Sequence, residues 1–214
     1  MKVGILGSGE VAKSLGAGFL RHGHAVMLGT RSPAKLSEWA AQHAGAKVGS
    51  SSETAAFGEI VVLAVKGHAA ADVLRAAGKA NVSGKPVIDA TNPIEDAPPT
   101  NGVLKFFTGP NESLMERLQK EFPEARLVKA FNSVGSELMV DPKFDGGKPT
   151  MFFCGNDEGA KKTVAKILED FGWETEDMGK ADAARVIEPL AALWCIPGFL
   201  RNEWSHAFKL LKKG

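Results

Sequence analysis

A short glycine-containing turn near the N-terminus has the residue types and spacing to bind a pyrophosphate. The apolar run Lys2–Leu6 leads directly into "GSGEVA" at residues 7–12. Gly7 permits a sharp turn after a strand, Gly9 lets the backbone approach a bulky anion, and Ala12 lets the next helix pack closely on the sheet. Free N–H groups at the helix N-terminus then attract the anion. The alternative is a purely structural turn, since the glycine pattern alone is weak evidence. The predicted contacts are Gly7, Ser8, Gly9, Glu10 and Val11.

A basic segment rich in hydroxyl groups, Thr30-Arg31-Ser32, ends the second apolar run. In a dinucleotide site this position meets the adenosine ribose, and an acidic residue there selects NAD. Arg31 instead offers a planar fork suited to a phosphate, and Lys35 lies one turn further on. A 2′-phosphate about 4 Å from a guanidinium gains up to about 4 kcal/mol per unit charge at an effective dielectric near 20. The segment therefore predicts NADP(H) rather than NAD(H), unless Arg31 only stacks on the adenine.

Three later strand ends are candidates for the nicotinamide end of such a cofactor. The carboxyl ends of neighbouring parallel strands share one edge of the sheet, where dinucleotides bind. Hydride transfer requires donor and acceptor carbons to be held close and aligned, so we assign Asn132 a positioning role. Each candidate also has a structural interpretation: a helix start for His68, a turn residue before Pro93 for Asn92, and a loop cap for Asn132. The predicted contacts are Val65, Lys66, His68, Asn92, Asn132, Val134, Gly135 and Ser136.

Apolar runs alternate with helical patterns along the first two thirds of the chain. This alternation predicts an α/β fold, in which a doubly wound and mainly parallel sheet forms an NAD(P)-binding Rossmann domain. Ser32 and Pro33 are expected as N-cap and first residue of a helix. The expected strands are Lys2–Leu6, Ala25–Thr30, Ala46–Ser50, Glu59–Val65, Pro86–Ala90 and Arg126–Phe131, and further helices are expected at His68–Ala77, Ser113–Phe122 and Glu158–Phe171.

Composition suggests one large domain with a modest appendage. We assign residues 1–148 to the nucleotide-binding domain and residues 149–214 to a small strand-helix extension that packs on it, contributing to the substrate cleft and to dimer contacts. The extension is expected to contain two strands and a helix from about Asp182 to Cys195, in which Pro189 marks a kink or the true start. The stretch from Pro93 to Glu112 is long for a loop, so a functional role is expected, with Phe106 and Phe107 as a candidate lid.

Charge and cysteine content exclude several classes of protein. The 214 residues carry a formal net charge of +1, which argues against an electrostatic nucleic-acid binder. The two cysteines, Cys154 and Cys195, form neither a CxxC pair nor a disulfide framework, so a reducing cytoplasm is expected. The five histidines are scattered, and no metal site is predicted. The apolar run at 189–200 is too short to span a bilayer and contains Pro197, so we expect no membrane span.

Several segments together resemble the NADP oxidoreductases that depend on coenzyme F-420 (F420), an 8-hydroxy-5-deazaflavin. The similarity covers nearly the whole chain, in order, and includes "KVGILGSGEVAKSLG", "GTRSPAKL", "VVLAVKGHA", "VIDATNP" and "LVKAFNSVGS". It implies NADPH on the residues named above, carboxamide contacts around Asn132 to Ser136, a deazaflavin stacked over the nicotinamide, and a homodimer. Members that use the deazaflavin often carry His-Thr-Ile-Pro-Ala where this chain has Asn-Ser-Val-Gly-Ser at 132–136.

The predicted function is hydride transfer between NADPH and a flavin-like or deazaflavin acceptor, with F420 or a flavin as bound co-substrate. One alternative is an NADPH-dependent reductase of a small carbonyl, imine or ferric substrate. Imine reductases of the β-hydroxyacid dehydrogenase type share the opening pattern but add a large helical domain, whereas only about 65 residues follow Pro149 here. A non-catalytic NADPH-binding sensor is the other alternative, because no obvious catalytic constellation stands out. The acceptor, the hydride face, the direction of flux and the oligomeric state stay open at this point.

Overall fold

The computed structural model describes residues 1–213 as one eight-stranded sheet with helices on both faces. The strand order is β3-β2-β1-β4-β5-β6-β7-β8. All neighbouring pairs are parallel except β6 with β7. The strands are β1 (Lys2–Leu6), β2 (Ala25–Gly29), β3 (Lys47–Gly49), β4 (Ile60–Leu63), β5 (Pro86–Asp89), β6 (Arg126–Lys129), β7 (Thr150–Gly155) and β8 (Glu174–Asp177).

Nine α-helices within residues 1–213 cover the sheet. They are α1 (Glu10–Arg21), α2 (Ser37–Gln42), α3 (Ser51–Phe57), α4 (Ala70–Ala77), α5 (Lys79–Val82), α6 (Leu114–Glu121), α7 (Glu158–Asp170), α8 (Ala184–Ile187) and α9 (Pro189–Arg201). Alternate side chains of each central strand enter two separate apolar clusters, one on each face. Ile5 and Val62 belong to one, and Leu6 and Leu63 to the other. This burial on both faces explains why the strands are continuously apolar.

The expected Rossmann topology is confirmed. The point where the strand order changes direction determines where a ligand can bind. β1 pairs with β2 on one side and with β4 on the other, so the chain winds outwards in both directions from this point. The loops after β1 and β4 consequently diverge and leave a crevice at the carboxyl ends of these strands. Residues from 150 onward add β7 and β8 to the same sheet.

Every expected strand is present, although each apart from β1 is shorter than expected at one or both ends. The helix expected to begin at Ser32 differs in detail. Pro33–Leu36 forms a 3-10 turn before α2, and the Ser32 side chain caps nothing. Instead the Ser32 backbone N–H donates to Thr30 Oγ1 at 3.1 Å. The Thr30 hydroxyl thus stabilises the bend through the Ser32 backbone, which the prediction of Ser32 as N-cap did not anticipate.

The C-terminal helix is longer than expected. Helical backbone runs from Ala181 to Arg201, 21 residues, and Pro197 lies inside α9 without ending it. By length and composition this helix could cross a membrane, so shortness and interruption at Pro197 are no longer grounds for expecting no span. Its mean hydropathy is 1.4 and only 33% of the relevant window is buried. Length and composition are weak evidence for a span, because helices in globular proteins pass the same test.

The segment from Pro93 to Glu112 is an ordered arm rather than a structureless loop. Isolated bridges join Ile94 to Phe106 and Thr100 to Val103, so the segment folds back on itself. The turn at its tip contains Asn101 and Gly102, both with positive φ. A Cβ on Gly102 would lie 3.0 Å from Leu200 Cγ, so the tip packs against the end of α9. The arm therefore connects the edge of the crevice to the C-terminal helix.

Candidate cofactor-binding site

The glycine turn has the geometry expected of a pyrophosphate cradle. Gly7 has a φ of 147°, and a Cβ there would lie 2.2 Å from the Ala64 carbonyl oxygen. A Cβ on Gly9 would meet nothing within 4 Å. Gly7 is therefore required by the fold, whereas the absence of a side chain at Gly9 keeps open the space in front of the N-terminus of α1.

A cleft of about 640 Å³ opens at the divergence of β1 and β4. It extends from the glycine turn, past the ends of β4 and β5, to the base of the arm. Seven of the predicted cofactor contacts line it: Ser8, Gly9, Glu10, Val11, Val65, Lys66 and Asn92. Seven residues outside the predicted contacts complete the lining: Ala64, Gly67, Ala69, Ala90, Ile94, Glu95 and Asp96.

Some of the lining residues outside the predicted contacts had a usable signal in the sequence, and others did not. Ala64, Gly67 and Ala90 lie at strand ends where small side chains permit close approach. A Cβ on Gly67 would lie 2.1 Å from the Asn92 carbonyl oxygen, so this glycine also lets the loops after β4 and β5 touch. Glu95 and Asp96 came from the arm, whose path over the cleft depends on long-range pairing that local patterns do not reveal.

The segment predicted to select the cofactor lies at the carboxyl end of β2. The Thr30 N–H donates to the Gly49 carbonyl oxygen at 3.0 Å, which holds the turn against β3. Arg31 is exposed and forms no ion pair with any residue of 1–213. Its guanidinium is thus free to meet a phosphate. Lys35 lies across a neighbouring hollow of about 400 Å³ between α1 and α2, which Glu10 also lines.

Two exposed ion pairs flank the cleft. Lys66 Nζ donates to Asp96 Oδ1 at 2.6 Å, which links the end of β4 to the arm. The Lys66 ammonium lowers the pKa of the Asp96 carboxyl by this hydrogen bond and by its charge. Glu10 is paired with Lys13 at 3.1 Å and is well exposed, so the negative charge of its carboxylate is offset by the lysine and by solvent. The cleft mouth therefore carries charge on its rim and mainly small or apolar groups inside.

Asn92 and Asn132 lie on the neighbouring loops that follow β5 and β6, and they form hydrogen bonds with each other. Asn92 Nδ2 donates to the Asn132 carbonyl oxygen at 2.8 Å, and Asn132 Nδ2 donates to Asn92 Oδ1 at 3.1 Å. Asn132 Nδ2 also donates to the Ile187 carbonyl oxygen at 3.0 Å. Directly before Asn132, Phe131 is fully buried with a φ of 63°, a conformation rare for a bulky residue and common at functional sites.

One polar atom of this pair has no partner among residues 1–213. Asn132 is only 5% exposed, and its Oδ1 accepts no hydrogen bond. A buried carbonyl oxygen without a donor is costly, so a group with an N–H, such as a carboxamide, fits this position chemically. Together with the open space at Gly9, this orphan acceptor shows that the residues present suit a nicotinamide dinucleotide.

A buried charge cluster next to the asparagines was missed by the sequence analysis. Lys129, Asp89 and Glu188 are all at most 1% exposed. Lys129 Nζ lies 2.8 Å from Asp89 Oδ2 and 2.9 Å from Glu188 Oε1. Burial alone lowers the pKa of Lys129, but the two carboxylates more than reverse this, so the pKa lies above its usual value and the ammonium stays charged. A lysine within the buried strand of "RLVKAF" was the available signal.

The remaining predicted contacts lie outside the cleft lining. His68 is exposed and stacks on Phe107 of the arm, with 4.3 Å between ring centroids. Val134 is buried, and Ser136 begins a 3-10 turn. A Cβ on Gly135 would lie 2.8 Å from Trp194 Cη2, so α9 covers this segment. The structure therefore places Asn132 in contact with Asn92 but outside the cleft lining, and Gly135 beneath Trp194 of α9.

The described residues contain no group of three or more histidine, cysteine or acidic side chains that could hold a metal ion. Both cysteines are free thiols. The ionisable groups lining the cleft are Glu10, Lys66, Glu95 and Asp96, all exposed. The site is therefore suited to binding and orienting a cofactor by backbone and amide groups.

Comparison with known proteins is consistent with this geometry. Residues 2–93 match the family described as NADP oxidoreductase coenzyme F420-dependent. A crystal structure from Arthrobacter sp. FB24, proposed to be an F420-dependent NADP-reductase, is 32% identical with a TM-score of 0.93. The alignment covers 99% of this chain and 100% of that one. A reductive aminase from Aspergillus terreus, solved with NADPH and ethyl-5-oxohexanoate, is 18% identical with a TM-score of 0.69. That alignment covers 94% of this chain and 63% of that one, and shows a shared fold only.

Two curated relatives are longer proteins. Metalloreductase STEAP3 of Rattus norvegicus is 30% identical over 203 residues, which are 93% of this chain and 39% of the relative. Metalloreductase STEAP2 of Homo sapiens is 28% identical over 189 residues, which are 88% of this chain and 35% of the relative. The chain thus spans less than two fifths of the length of these relatives. On the match over its full length to the Arthrobacter protein and on the family match at 2–93, the chain belongs to the coenzyme F420-dependent NADP oxidoreductase family.

Proposed function

We propose that this NADP-dependent oxidoreductase transfers a hydride between NADPH and a planar flavin-like or deazaflavin acceptor. The observation that carries the proposal is the cleft at the divergence of β1 and β4. It joins the glycine turn to Asn92 within one continuous space of about 640 Å³. A volume of this size suits a small-molecule site, and its position is where doubly wound sheets bind dinucleotides.

The cofactor occupies this space in one orientation. The pyrophosphate lies on the N-terminus of α1, against Ser8, Gly9 and the Glu10 and Val11 backbone. The 2′-phosphate lies on Thr30, Arg31 and Ser32, with Lys35 adding positive charge. The nicotinamide reaches the loops after β5 and β6, where Asn132 Oδ1 has no other partner. This arrangement is supported by the open space at Gly9 and by the unpaired guanidinium of Arg31.

The bound NADPH supplies the hydride, and the chain supplies position and shelter. Asn92 and Asn132 fix each other by two hydrogen bonds, so any amide held there has a defined orientation. Apolar residues such as Val65 and Ala90 limit water on the cleft wall. No buried acid or base lines the cleft, which favours an acceptor ring that takes up a hydride with little help from a protein proton donor.

The identity of the acceptor is the finer part of the proposal. The family description favours F420, while residues 132–136 differ from the sequence that deazaflavin-using members often carry. The curated relatives are metalloreductases, so a flavin or a ferric chelate belongs in the same experiment. Small carbonyl and imine substrates complete the comparison because an imine reductase shares the fold.

The test is steady-state oxidation of NADPH by the purified chain with F420, FMN, FAD, ferric citrate and a cyclic imine. We expect turnover with F420 or a flavin that saturates with acceptor concentration. Turnover confined to the ferric chelate or the imine would contradict the proposed acceptor class. Tight NADPH binding without turnover on any acceptor would instead support an NADPH-binding sensor.

We also propose that two copies of the chain pair through the C-terminal helix. Val186, Leu193 and Leu200 are 64%, 54% and 55% exposed and are spaced seven residues apart, so they lie along one face. We call these three residues the α9 stripe. The proposal follows from the family resemblance and from this seam of apolar side chains, which a second copy of the same helix would cover.

A further inference from the structure

A fully buried ammonium group next to the asparagine pair makes three close polar contacts. Lys129 Nζ lies 2.8 Å from Asp89 Oδ2, 2.9 Å from Glu188 Oε1 and 2.8 Å from the Thr91 carbonyl oxygen. The contact with the Thr91 carbonyl oxygen is a hydrogen bond, and the contacts with the two carboxylates are salt bridges. The Asp89 contact is best described as ionic, since Oδ2 lacks a well-aligned hydrogen bond.

Each of two acceptors belongs to the segment that holds one asparagine. The Thr91 carbonyl is part of the peptide unit that leads into Asn92. Glu188 follows Ile187, whose carbonyl oxygen accepts from Asn132 Nδ2 at 3.0 Å. The Lys129 ammonium therefore contacts both segments that position the asparagine pair, Thr91 directly before Asn92 and Glu188 directly after Ile187.

The two carboxylates are themselves held by backbone groups. Asp89 Oδ1 accepts from the Thr91 N–H at 2.9 Å and from the Thr91 hydroxyl at 2.6 Å. Glu188 accepts from the Leu114 and Met115 N–H groups at 2.9 and 3.0 Å, at the start of α6. One rigid unit thus joins the ends of β5 and β6, α6 and the start of α9.

Stability alone does not account for such a cluster. Well-packed apolar residues commonly replace buried ion groups without loss of stability, because desolvation offsets the attraction between the charges. What an apolar core does not supply is a fixed direction for the Thr91 carbonyl and for the Glu188 backbone. The cluster is directly adjacent to Asn92 and Asn132, where direction matters for the ligand.

We propose that Lys129 is a positioning residue for the nicotinamide, acting through the Asn92–Asn132 pair. This inference rests on the proposed placement of NADPH in the cleft. Its consequence is that Lys129 affects only the part of the cofactor that reaches the asparagines. The adenosine 2′-phosphate and the pyrophosphate bind on other elements and are independent of it.

The experiment compares binding of NADPH with binding of 2′-phospho-ADP-ribose, which lacks the nicotinamide. Isothermal titration calorimetry is done on the wild type and on a charge-neutral variant, Lys129→Met with Asp89→Asn and Glu188→Gln. The amide oxygen of Asp89→Asn can still accept from Thr91, whereas that of Glu188→Gln can accept from only one of the two N–H groups at the start of α6. If this variant does not fold, Lys129→Met with Asp89→Asn is used, in which Glu188 keeps its two N–H donors. The control is Lys161→Met, which removes another buried lysine, paired with Glu158 and Asp177 on α7 and β8.

We expect the wild type and Lys161→Met to bind NADPH more tightly than 2′-phospho-ADP-ribose. The neutral variant should lose about tenfold in NADPH affinity, corresponding to one or two hydrogen bonds, while 2′-phospho-ADP-ribose binds within about twofold of wild type. The variant should also transfer deuterium from both C4 faces of the nicotinamide once an acceptor is known. Equal losses for both ligands, or no loss for either, would overturn the role of Lys129. If wild type binds neither ligand, the proposed function itself fails.

Discussion

Gly7 and Gly9 lie two residues apart but serve the glycine turn for different physical reasons. Gly7 has a positive φ, and its missing Cβ makes room for the Ala64 carbonyl, so this residue is required by the fold. Gly9 has an ordinary φ of −85° and open space in front of it. Its missing side chain is useful only if something else enters that space.

Replacing each glycine by alanine separates these two roles. Gly7→Ala should lower the free energy of unfolding by about 3 kcal/mol or more, since a backbone clash adds to an unfavourable φ. Gly9→Ala should leave the melting temperature nearly unchanged and weaken NADPH binding at least tenfold. Thermal unfolding and calorimetric titration of both variants check this. A Gly9→Ala variant that binds NADPH as the wild type does would place the pyrophosphate elsewhere.

Cys154 gives a residue-scale test of the buried core. Burial raises the pKa of its thiol to about 12. At pH 8 only about one thiol in ten thousand is ionised, so the folded protein should react with Ellman's reagent at Cys154 only after unfolding. The variant Cys195→Ser isolates this thiol, and guanidinium chloride gives the unfolded reference. Rapid labelling of folded Cys195→Ser would contradict the burial of Cys154.

The same pKa shift predicts a loss of stability in alkali. The thiol of an unfolded cysteine has a pKa of about 9.0, whereas the pKa of folded Cys154 is raised to about 12. Between these values the folded state binds more protons, so the Cys154 contribution to stability falls as pH rises through this range. Urea titrations at pH 8 and 10 should show a smaller pH-dependent loss in Cys154→Ala than in wild type. An identical loss in both proteins would assign the effect to other groups.

At the scale of elements, the Lys129 cluster determines how β5, β6, α6 and α9 meet. Removing the lysine alone leaves two buried carboxylates without their cation. Lys129→Met should therefore reduce the free energy of unfolding by about 3–5 kcal/mol. Adding Asp89→Asn should restore part of the loss. Urea unfolding of the single and double variants measures this, and additive effects of the two substitutions would show that the groups are not coupled.

The sheet and its first crossover follow from local patterns, whereas the arm does not. Lys2–Leu6 and Gly7 carry strand and turn signals within a few residues, so β1 and the glycine turn could be placed from the sequence. The path of 93–112 over the cleft depends on contacts such as Gly102 with Leu200, about a hundred residues apart in sequence. For the same reason Asp96 was missed in the cleft, although Lys66, its partner, was predicted.

Interactions between distant segments also limited the prediction of the site. Asn92 and Asn132 were expected from their positions after strands, and their mutual hydrogen bonds follow from the adjacency of β5 and β6. Glu188 lies on the C-terminal helix, whose docking site no local pattern reveals, so the charge cluster stayed hidden. The same helix covers Gly135 with Trp194, which accounts for the position of 134–136 outside the cleft lining.

At the scale of the whole molecule, the α9 stripe predicts a homodimer. Leu193→Glu with Leu200→Glu should convert a dimer into a monomer of 22.7 kDa, because two charges would face the apolar partner helix. Light scattering after size-exclusion chromatography measures the mass. Leu211→Glu, at a residue that is 83% exposed and lies off the stripe, is the control and should remain dimeric. A wild type that is monomeric at every concentration, or that binds lipid vesicles through the stripe, would refute pairing of two copies.

The proposed site at Arg31 distinguishes the two nicotinamide dinucleotides, which differ only by the 2′-phosphate. The most direct measurement is calorimetric titration of the wild type and of Arg31→Ala with NADPH and with NADH. Arg126→Ala, at an exposed arginine that begins β6, is the control. We predict that the wild type binds NADPH at least tenfold more tightly than NADH, and that Arg31→Ala loses most of this preference while NADH affinity changes less than about twofold. Equal affinity of the wild type for NADPH and NADH, or an NADPH preference that survives in Arg31→Ala, would contradict the account.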